Sequence, residues 1–151
     1  MNILVTGGAG AIGRYVVQDL AAHGFVPTIL DLGPVPERDD GIAYVQCDLM
    51  DLNATLDVVR GYDVVVHLAA IPNPYSDPPD RVMAVNTVTT FNVLEAIRLR
   101  CPETLFINAS TNKVYGKMED LGPEGFFIIP NPQNPSLGGS CLTYHPAGTP
   151  L

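Results

Sequence analysis

The fold is decided at residues 6–13, which read Thr6-Gly7-Gly8-Ala9-Gly10-Ala11-Ile12-Gly13. This turn stands between an apolar strand predicted at residues 2–6 and an amphipathic helix predicted at residues 11–23. Of the glycines at 7, 10 and 13, the first can form a tight turn, the second lets the backbone approach a pyrophosphate, and the third lets the helix pack closely on the strand. The N-terminus of the helix offers free N–H groups and a positive dipole end to the phosphates.

An acidic residue follows at the position where a dinucleotide site needs one. Asp31 ends the next predicted strand, 18 residues beyond Gly13, where its carboxylate can accept hydrogen bonds from the adenosine ribose hydroxyls. The same carboxylate repels a 2′-phosphate, and Leu32-Gly33 supplies no arginine to receive one. The pattern predicts NAD, rather than NADP, as the cofactor; the alternative is a glycine-rich turn without a ligand.

Apolar runs and amphipathic stretches alternate over the first 109 residues, as they do in repeated β-α units. The predicted helix at residues 11–23 has Ile12, Val16 and Leu20 on one face and Gly24 as its C-terminal stop. The remaining predicted strands cover residues 27–31, 42–46, 63–67 and 104–109, and the remaining helices cover residues 53–59 and 80–99. The predicted fold class is α/β, a Rossmann-type doubly wound parallel sheet of about five strands.

The character of the chain changes after Gly116. Residues 117–151 carry glycine or proline at nearly every third position and show no sustained period. The prediction is a Rossmann domain at residues 1–116, incomplete, followed by an irregular tail at residues 117–151 with a short strand near Phe126–Ile129, and no second domain.

Composition restricts the partners. The net charge of −8 opposes binding to nucleic acid or to an anionic membrane. The three cysteines are widely spaced and form no C-x-x-C pair, which indicates neither a disulfide framework nor a zinc site. The first residues lack a basic segment, and no apolar run reaches membrane-spanning length. We therefore expect a cytoplasmic protein.

The stretch at residues 6–13 resembles the short-chain dehydrogenase/reductase superfamily, and later segments resemble its extended branch, the NAD-dependent epimerase/dehydratase family. These segments are Asp48-Leu49, His67-Leu68-Ala69-Ala70, Asn86, and Ser110-Thr111-Asn112-Lys113-Val114-Tyr115-Gly116. The resemblance covers about the first 116 residues. It implies transient hydride transfer at a sugar hydroxyl of a nucleotide-sugar substrate, with NAD as cofactor.

The resemblance also assigns the site residues. Thr111 lies where the family has its catalytic Ser or Thr. Together with the turn and the strand-tip carboxylate, the expected cofactor-binding residues are Gly7, Gly10, Ala11, Ile12, Gly13, Asp31, Asp48, Leu49, Leu68, Ala69, Ala70, Asn86 and Ser110.

Each of the later motifs also has a purely structural interpretation. His67 can be a packed, hydrogen-bonded residue at a strand end. Asn86 can be a cap or a cross-brace, Asp48 a turn carboxylate, and Ser110 a partner for a strand-end N–H.

In the resembled family the chemistry also needs a Tyr-x-x-x-Lys pair, whose lysine lowers the pKa of the tyrosine so that it can take a hydroxyl proton. The sequence contains no such pair: its two lysines are Lys113 and Lys117, and Tyr144 is followed four residues later by Gly148. Two alternatives therefore stand beside the enzyme: a non-catalytic NAD-binding module, and an inactive truncated product.

The place where the chain ends predicts an exposed apolar surface. A sheet that ends at its fifth strand lacks a covering helix and has a free edge. Either the tail covers this surface, or the chain associates, as in a homo-oligomer, or it is only marginally stable; our prediction is exposed hydrophobic surface that binds hydrophobic dyes strongly.

Overall fold

The computed structural model describes residues 1–37, 39–73 and 75–110, together with two short strands further along the chain. The chain divides into two compact units, Met1–Ala109 and Ser110–Leu151. The domain boundary predicted at residue 116 lies outside the described residues, so it stays a prediction.

The first unit alternates strands and helices as the sequence predicts. In chain order its elements are β1 (Asn2–Thr6), α1 (Gly13–Ala22), β2 (Val26–Asp31), β3 (Ala43–Gln46), α2 (Leu52–Val58), β4 (Val64–His67), α3 (Pro79–Arg100) and β5 (Leu105–Asn108).

The five strands form one parallel sheet in the order β3-β2-β1-β4-β5. At its C-terminal end, Thr6 of β1 pairs with Leu30 of β2 on one side and with His67 of β4 on the other. The direction of winding reverses between β1 and β4, which makes this the topological switch point where ligands bind in open α/β sheets. The predicted Rossmann-type fold class is confirmed.

Both faces of the sheet are covered at β1, which explains the continuous apolar character of this strand. Ile3 and Val5 pack with Val17 of α1 on one face. Leu4, between them in sequence, points to the other face and packs with Val93 and Ala96 of α3. Adjacent residues of a strand point to opposite faces, so a sheet buried on both sides needs apolar residues at consecutive positions.

Helix α1 begins two residues later than predicted, and the prediction that Ile12 lies on its apolar face is wrong. Ile12 precedes the helix and is 69% exposed, whereas Val17 is buried against the sheet. The reason is the turn: Gly10 N–H donates to Gly7 O, so the chain is still turning where the spacing alone predicts helix. Val16 and Leu20 pack against the core as predicted.

The other two helices begin at recognisable signals. Asp51 caps α2 by accepting hydrogen bonds from the N–H groups of Asn53 and Ala54, and α3 has Pro79 in its first turn. Within the described part of the chain, no helix combines the length and the apolar character that crossing a membrane requires.

Strand β5 forms the edge of the described sheet beside β4. Two of its apolar side chains are largely accessible, Leu105 at 58% and Ile107 at 48%. An edge strand with apolar side chains is a site for association. The strong dye binding expected from the sequence stays a prediction.

The second unit contains β6 (Phe127–Ile128) and β7 (Leu142–Thr143), which pair antiparallel. Strand β6 lies within the segment where the sequence predicts a short strand, whereas β7 has no counterpart among the predictions.

Candidate functional site

The glycine turn after β1 is shaped by close backbone packing. Gly7 has a positive φ of 65°, and a Cβ there would lie 2.8 Å from the backbone N of Ala69, on the loop that follows β4. A Cβ on Gly13 would lie 2.6 Å from the Cα of Gly8. Both glycines are therefore required by the packing of the chain on itself.

Gly10 is different, because its surroundings are open. A Cβ there would meet Gly7 O at 3.0 Å and no other atom of the described residues within 4 Å. Gly10 and its neighbours Ala9 and Ala11 are exposed. A ligand can thus approach the backbone at this point, which is the space that a pyrophosphate requires.

Gly8 is a structural requirement that the sequence analysis did not identify. A Cβ on this residue would lie 2.8 Å from Val5 O and 3.1 Å from Cγ2 of Ile29. Its N–H donates to Leu30 O over 3.3 Å, which joins the turn to β2. The only sequence signal is the consecutive pair Gly7-Gly8.

Asp31 is bonded directly to the turn. Its Oδ2 accepts a hydrogen bond of 3.1 Å from the backbone N–H of Ala9, and its Oδ1 accepts one of 2.8 Å from Leu32. The same carboxylate lines a cavity of about 410 Å³ with Gly8, Ala9 and Gly33. The turn and the strand-tip carboxylate, predicted separately from the sequence, therefore meet at one cavity.

Asp48 and Leu49 lie in the turn after β3. The Asp48 carboxylate accepts the N–H of Met50 over 2.9 Å, and the Leu49 side chain is buried in the core at 4% exposure. The buried amide of Asn92 on α3 donates to Leu49 O over 2.8 Å and to Met50 O over 3.2 Å. Asn92, which the sequence analysis missed, fixes this turn to α3.

The loop after β4 lies against the glycine turn. The Oγ1 of Thr6 accepts the N–H of Leu68 over 3.2 Å and the N–H of Ala69 over 3.3 Å. Leu68 and Ala69 are half-buried and Ala70 is exposed. The small residues allow the close approach of Gly7 described above.

Asn86 ties the end of the same loop to α3. Its Oδ1 accepts the N–H of Ile71 over 2.7 Å, and its Nδ2 donates to Ile71 O over 3.1 Å. Both polar groups of the amide are thus used by one backbone residue. The cross-brace interpretation of Asn86 describes what this side chain does in the structure.

His67 is enclosed at the end of β4. It is 3% exposed, and its ring lies 5.9 Å from that of Phe106. Its Nδ1 lies 2.7 Å from the Oγ1 of Thr6 and its Nε2 lies 3.1 Å from the Oγ1 of Thr90. Burial lowers the pKa of His67 to about 4, so the imidazole is neutral at neutral pH.

Of the two site residues expected beyond β5, the structure describes Ser110 but not Thr111. Ser110 follows Ala109, whose N–H donates to His67 O over 3.1 Å, and Ser110 itself is exposed. Thr111, the expected catalytic residue, lies outside the described residues.

The geometry agrees with a family model. Residues 3–136 match the model of the "NAD dependent epimerase/dehydratase family". The chain belongs to the NAD-dependent epimerase/dehydratase family. The resemblance seen in the sequence is confirmed, and the match extends 20 residues beyond the segment that carried it, from residue 116 to residue 136.

Curated relatives include two kinds of sugar enzyme. The chain is 40% identical over 115 residues to an L-arabinose 1-dehydrogenase (NAD(P)(+)) of Haloferax volcanii, a match covering 76% of this chain and 42% of the relative. It is 35% identical over 148 residues to a dTDP-glucose 4,6-dehydratase of Mycobacterium tuberculosis, covering 90% of this chain and 44% of the relative. The chain thus spans about two fifths of the length of these relatives.

A solved structure shares the fold and contains the cofactor. It is a mutant of the uronate dehydrogenase from Agrobacterium tumefaciens complexed with NAD, with a TM-score of 0.64 and 33% identity, over 74% of this chain and 41% of that one. The family is NAD dependent. The cofactor prediction, NAD, is confirmed.

Proposed function

We propose that residues 1–116 form the NAD-binding part of an enzyme that transfers hydride transiently at a hydroxyl-bearing carbon of a nucleotide-linked sugar. The observation that carries the proposal is the junction of Ala9 and Asp31, where the glycine turn after β1 and the acidic tip of β2 share one cavity. NAD, when bound, supplies the hydride acceptor.

In this proposal each group of residues has a separate role. The backbone of Gly7, Gly10, Ala11, Ile12 and Gly13 receives the diphosphate at the start of α1. Asp31 accepts hydrogen bonds from the adenosine ribose hydroxyls.

The other proposed contacts follow the C-terminal edge of the sheet. In this proposal Asp48 and the backbone of Leu49, whose side chain is buried in the core, lie beside the adenine, and the backbone of the loop that Asn86 braces approaches the cofactor. The further residues proposed to contact the cofactor are Leu68, Ala69, Ala70 and Ser110. Thr111 is the proposed catalytic residue.

A sugar nucleotide is proposed as the substrate because one relative is named as a dehydratase of dTDP-glucose. Another relative is named for L-arabinose, which is a free sugar. Chromatography of the sugar products, together with NADH absorbance, after incubation with dTDP-glucose, UDP-glucose, L-arabinose and a free uronate separates the two substrate classes, because transient hydride transfer leaves no net NADH. Oxidation of a free sugar but of neither nucleotide sugar would contradict the proposed substrate class.

A non-catalytic NAD-binding module is the second candidate. The observation in its favour is that the printed sequence contains no Tyr-x-x-x-Lys pair. NAD binding without turnover of any of the four sugars supports this candidate. Turnover of a sugar by the 151-residue protein excludes it.

The cofactor site itself is tested by calorimetric titration with NAD and NADP. Asp31→Arg should weaken NAD binding by about tenfold or more, equal to about 1.4 kcal/mol, and should shift the preference towards NADP, because the change removes the ribose acceptor and the negative charge. Asp57→Arg, an equal charge change at an exposed position of α2, is the matched control and should bind NAD like the wild type. The proposal would be contradicted if the well-folded wild-type protein did not bind NAD at about millimolar concentration.

A further inference from the structure

Four groups form a continuous line of hydrogen bonds behind the glycine turn. Thr6 Oγ1 lies 2.7 Å from His67 Nδ1, and His67 Nε2 lies 3.1 Å from Thr90 Oγ1. The Thr90 hydroxyl in turn donates over 2.9 Å to the backbone O of Asn86. The line therefore crosses from β1 through β4 to α3.

The direction of the first bond is fixed by Thr6. A hydroxyl oxygen has two lone pairs and one hydrogen. Both lone pairs of Thr6 Oγ1 face N–H groups, that of Ala69 and that of Leu68, the second being shared with the backbone O of Thr6 at 3.1 Å. Its hydrogen must point at His67 Nδ1, so that nitrogen carries no proton.

The direction of the second bond is fixed independently, from the other end. A backbone carbonyl oxygen can only accept a hydrogen bond, so the Thr90 hydroxyl donates its hydrogen to Asn86 O. Thr90 Oγ1 is then an acceptor towards His67 Nε2, which must carry the hydrogen. Both ends of the line thus require the same neutral tautomer of His67.

We propose that Thr6, His67 and Thr90 are positioning residues: an Nε2-protonated, neutral His67 orients the Thr6 hydroxyl, and Thr6 holds the Leu68–Ala69 backbone against the cofactor-binding turn. The effect on the cofactor rests on the proposed function, whereas the direction of the bonds does not.

Contact between the loop and the turn makes this orientation consequential. A Cβ on Gly7 would lie 2.8 Å from Ala69 N, the same N–H group that Thr6 accepts. If the Thr6 hydroxyl rotated to donate elsewhere, it would turn a lone pair away from Ala69 and leave this part-buried N–H without its partner, whereas the Leu68 N–H would keep its bond of 3.1 Å to Thr6 O. The loop would then lose its fixed distance to the turn that receives the diphosphate.

The tautomer is measured directly by long-range ¹H–¹⁵N correlation spectra of the histidine rings in the wild-type protein at neutral pH. The chain has three histidines, and His67→Gln identifies the signal to be read. We expect one protonated nitrogen, Nε2, and one unprotonated nitrogen, Nδ1. A protonated Nδ1, or an average of the two tautomers, in the wild-type protein overturns the proposal.

The positioning role is measured by NAD affinity. Thr6→Val removes the hydroxyl at nearly constant volume and should weaken NAD binding by about tenfold, because the Ala69 N–H loses its acceptor and the Leu68 N–H keeps only the backbone O of Thr6. Thr6→Ser keeps the hydroxyl and should remain within about threefold of the wild type while retaining the Nε2-protonated tautomer. Equal affinities of a folded Thr6→Val variant and the wild type refute the positioning role.

Thr90→Val is the second variant, because it lies further from the turn and removes the acceptor of the Nε2 proton. It leaves the bond from Thr6 to Nδ1 in place, so His67 should keep the Nε2-protonated tautomer, and a change to the Nδ1-protonated tautomer would refute the direction assigned to the Thr6 bond. A wild-type protein that does not bind NAD would refute the proposed function and the positioning role together, while the tautomer measurement would still decide the hydrogen-bond directions.

Discussion

Gly10 and Gly13 are three residues apart in one motif, yet the structure predicts opposite consequences of replacing each by alanine. The Cβ of Gly13→Ala would lie 2.6 Å from the Cα of Gly8 and 2.9 Å from the carbonyl carbon of Gly7. These neighbours are backbone atoms, so α1 or the turn has to shift. Gly10→Ala would meet Gly7 O at 3.0 Å, which a displacement of a few tenths of an ångström relieves.

The magnitudes follow from these contacts. Overpacking of a rigid site costs about 1–3 kcal/mol. For Gly13→Ala we expect the upper part of that range, about 2–3 kcal/mol, because the clash is with backbone and not with a flexible side chain. For Gly10→Ala we expect a loss below about 1 kcal/mol.

NAD affinity, unlike stability, should respond directly to the Gly10→Ala change. The methyl group of Gly10→Ala would occupy the open space over the turn, where the diphosphate must approach the backbone, so we expect NAD affinity to fall by about tenfold or more in a protein that stays folded. Urea denaturation followed by circular dichroism gives the free energy of unfolding, and calorimetric titration gives the affinity. Ala11→Gly, at an exposed position between the two glycines, is the control for a change of backbone freedom.

Two results would refute this reasoning. Undiminished NAD binding by folded Gly10→Ala would mean that the turn does not receive the diphosphate. A Gly13→Ala variant as stable as the wild type would mean that the close packing of α1 on the turn is incorrect.

Three further predictions concern stability. Burial among the uncharged Thr6, Thr90 and Phe106 lowers the pKa of His67 to about 4, whereas in the unfolded chain the ring takes up a proton at about pH 6.5. The stabilisation by the neutral ring is therefore complete above about pH 6.5. Up to about 3 kcal/mol of it is lost as the pH falls to about 4. Urea denaturation at about pH 7 and about pH 4.5 should show this loss in the wild type but not in His67→Gln, and equal losses would contradict it. Asp51→Ala removes the cap of α2 and should cost about 1 kcal/mol in the same assay, whereas Asp51→Asn should cost little. Asn86→Ala leaves both backbone groups of Ile71 without their partner and should cost about 1–3 kcal/mol, more than Asn86→Asp, which keeps an acceptor; equal costs would mean that the brace is unimportant.

The order of elements could be predicted from sequence because each has a local signal. Strand β1 was predicted at its observed limits, and β2, β4 and β5 were predicted to within about one residue, since apolar runs bounded by turn residues mark them. Helix α1 was placed two residues too early, because the apolar period continues through Ile12 while the glycine turn still determines the backbone there.

The site could be predicted only as separate parts. The turn, Asp31 and Asn86 each have a recognisable position in sequence, but the contacts that combine them depend on residues distant in the chain: Thr6 and His67 are 61 positions apart, and Leu49 and Asn92 are 43 apart. Thr90 lies four residues after Asn86 and so on the same helical face, which is a usable signal. Gly8 had only the signal of the consecutive Gly7-Gly8 pair, because its requirement arises from contacts made in the folded turn, with the backbone O of Val5 and with the side chain of Ile29 on another strand.

The hydrogen bond from Ala9 to Asp31 has a consequence for how quickly and how tightly a dinucleotide is captured. Since the acidic strand tip is already held by the turn in the free protein, little conformational freedom remains to be lost on association, and the receptor is preorganised. The association rate should therefore be set by diffusion and charge rather than by a slow rearrangement of the protein. Amide exchange at Ala9 should already be protected before any ligand is added.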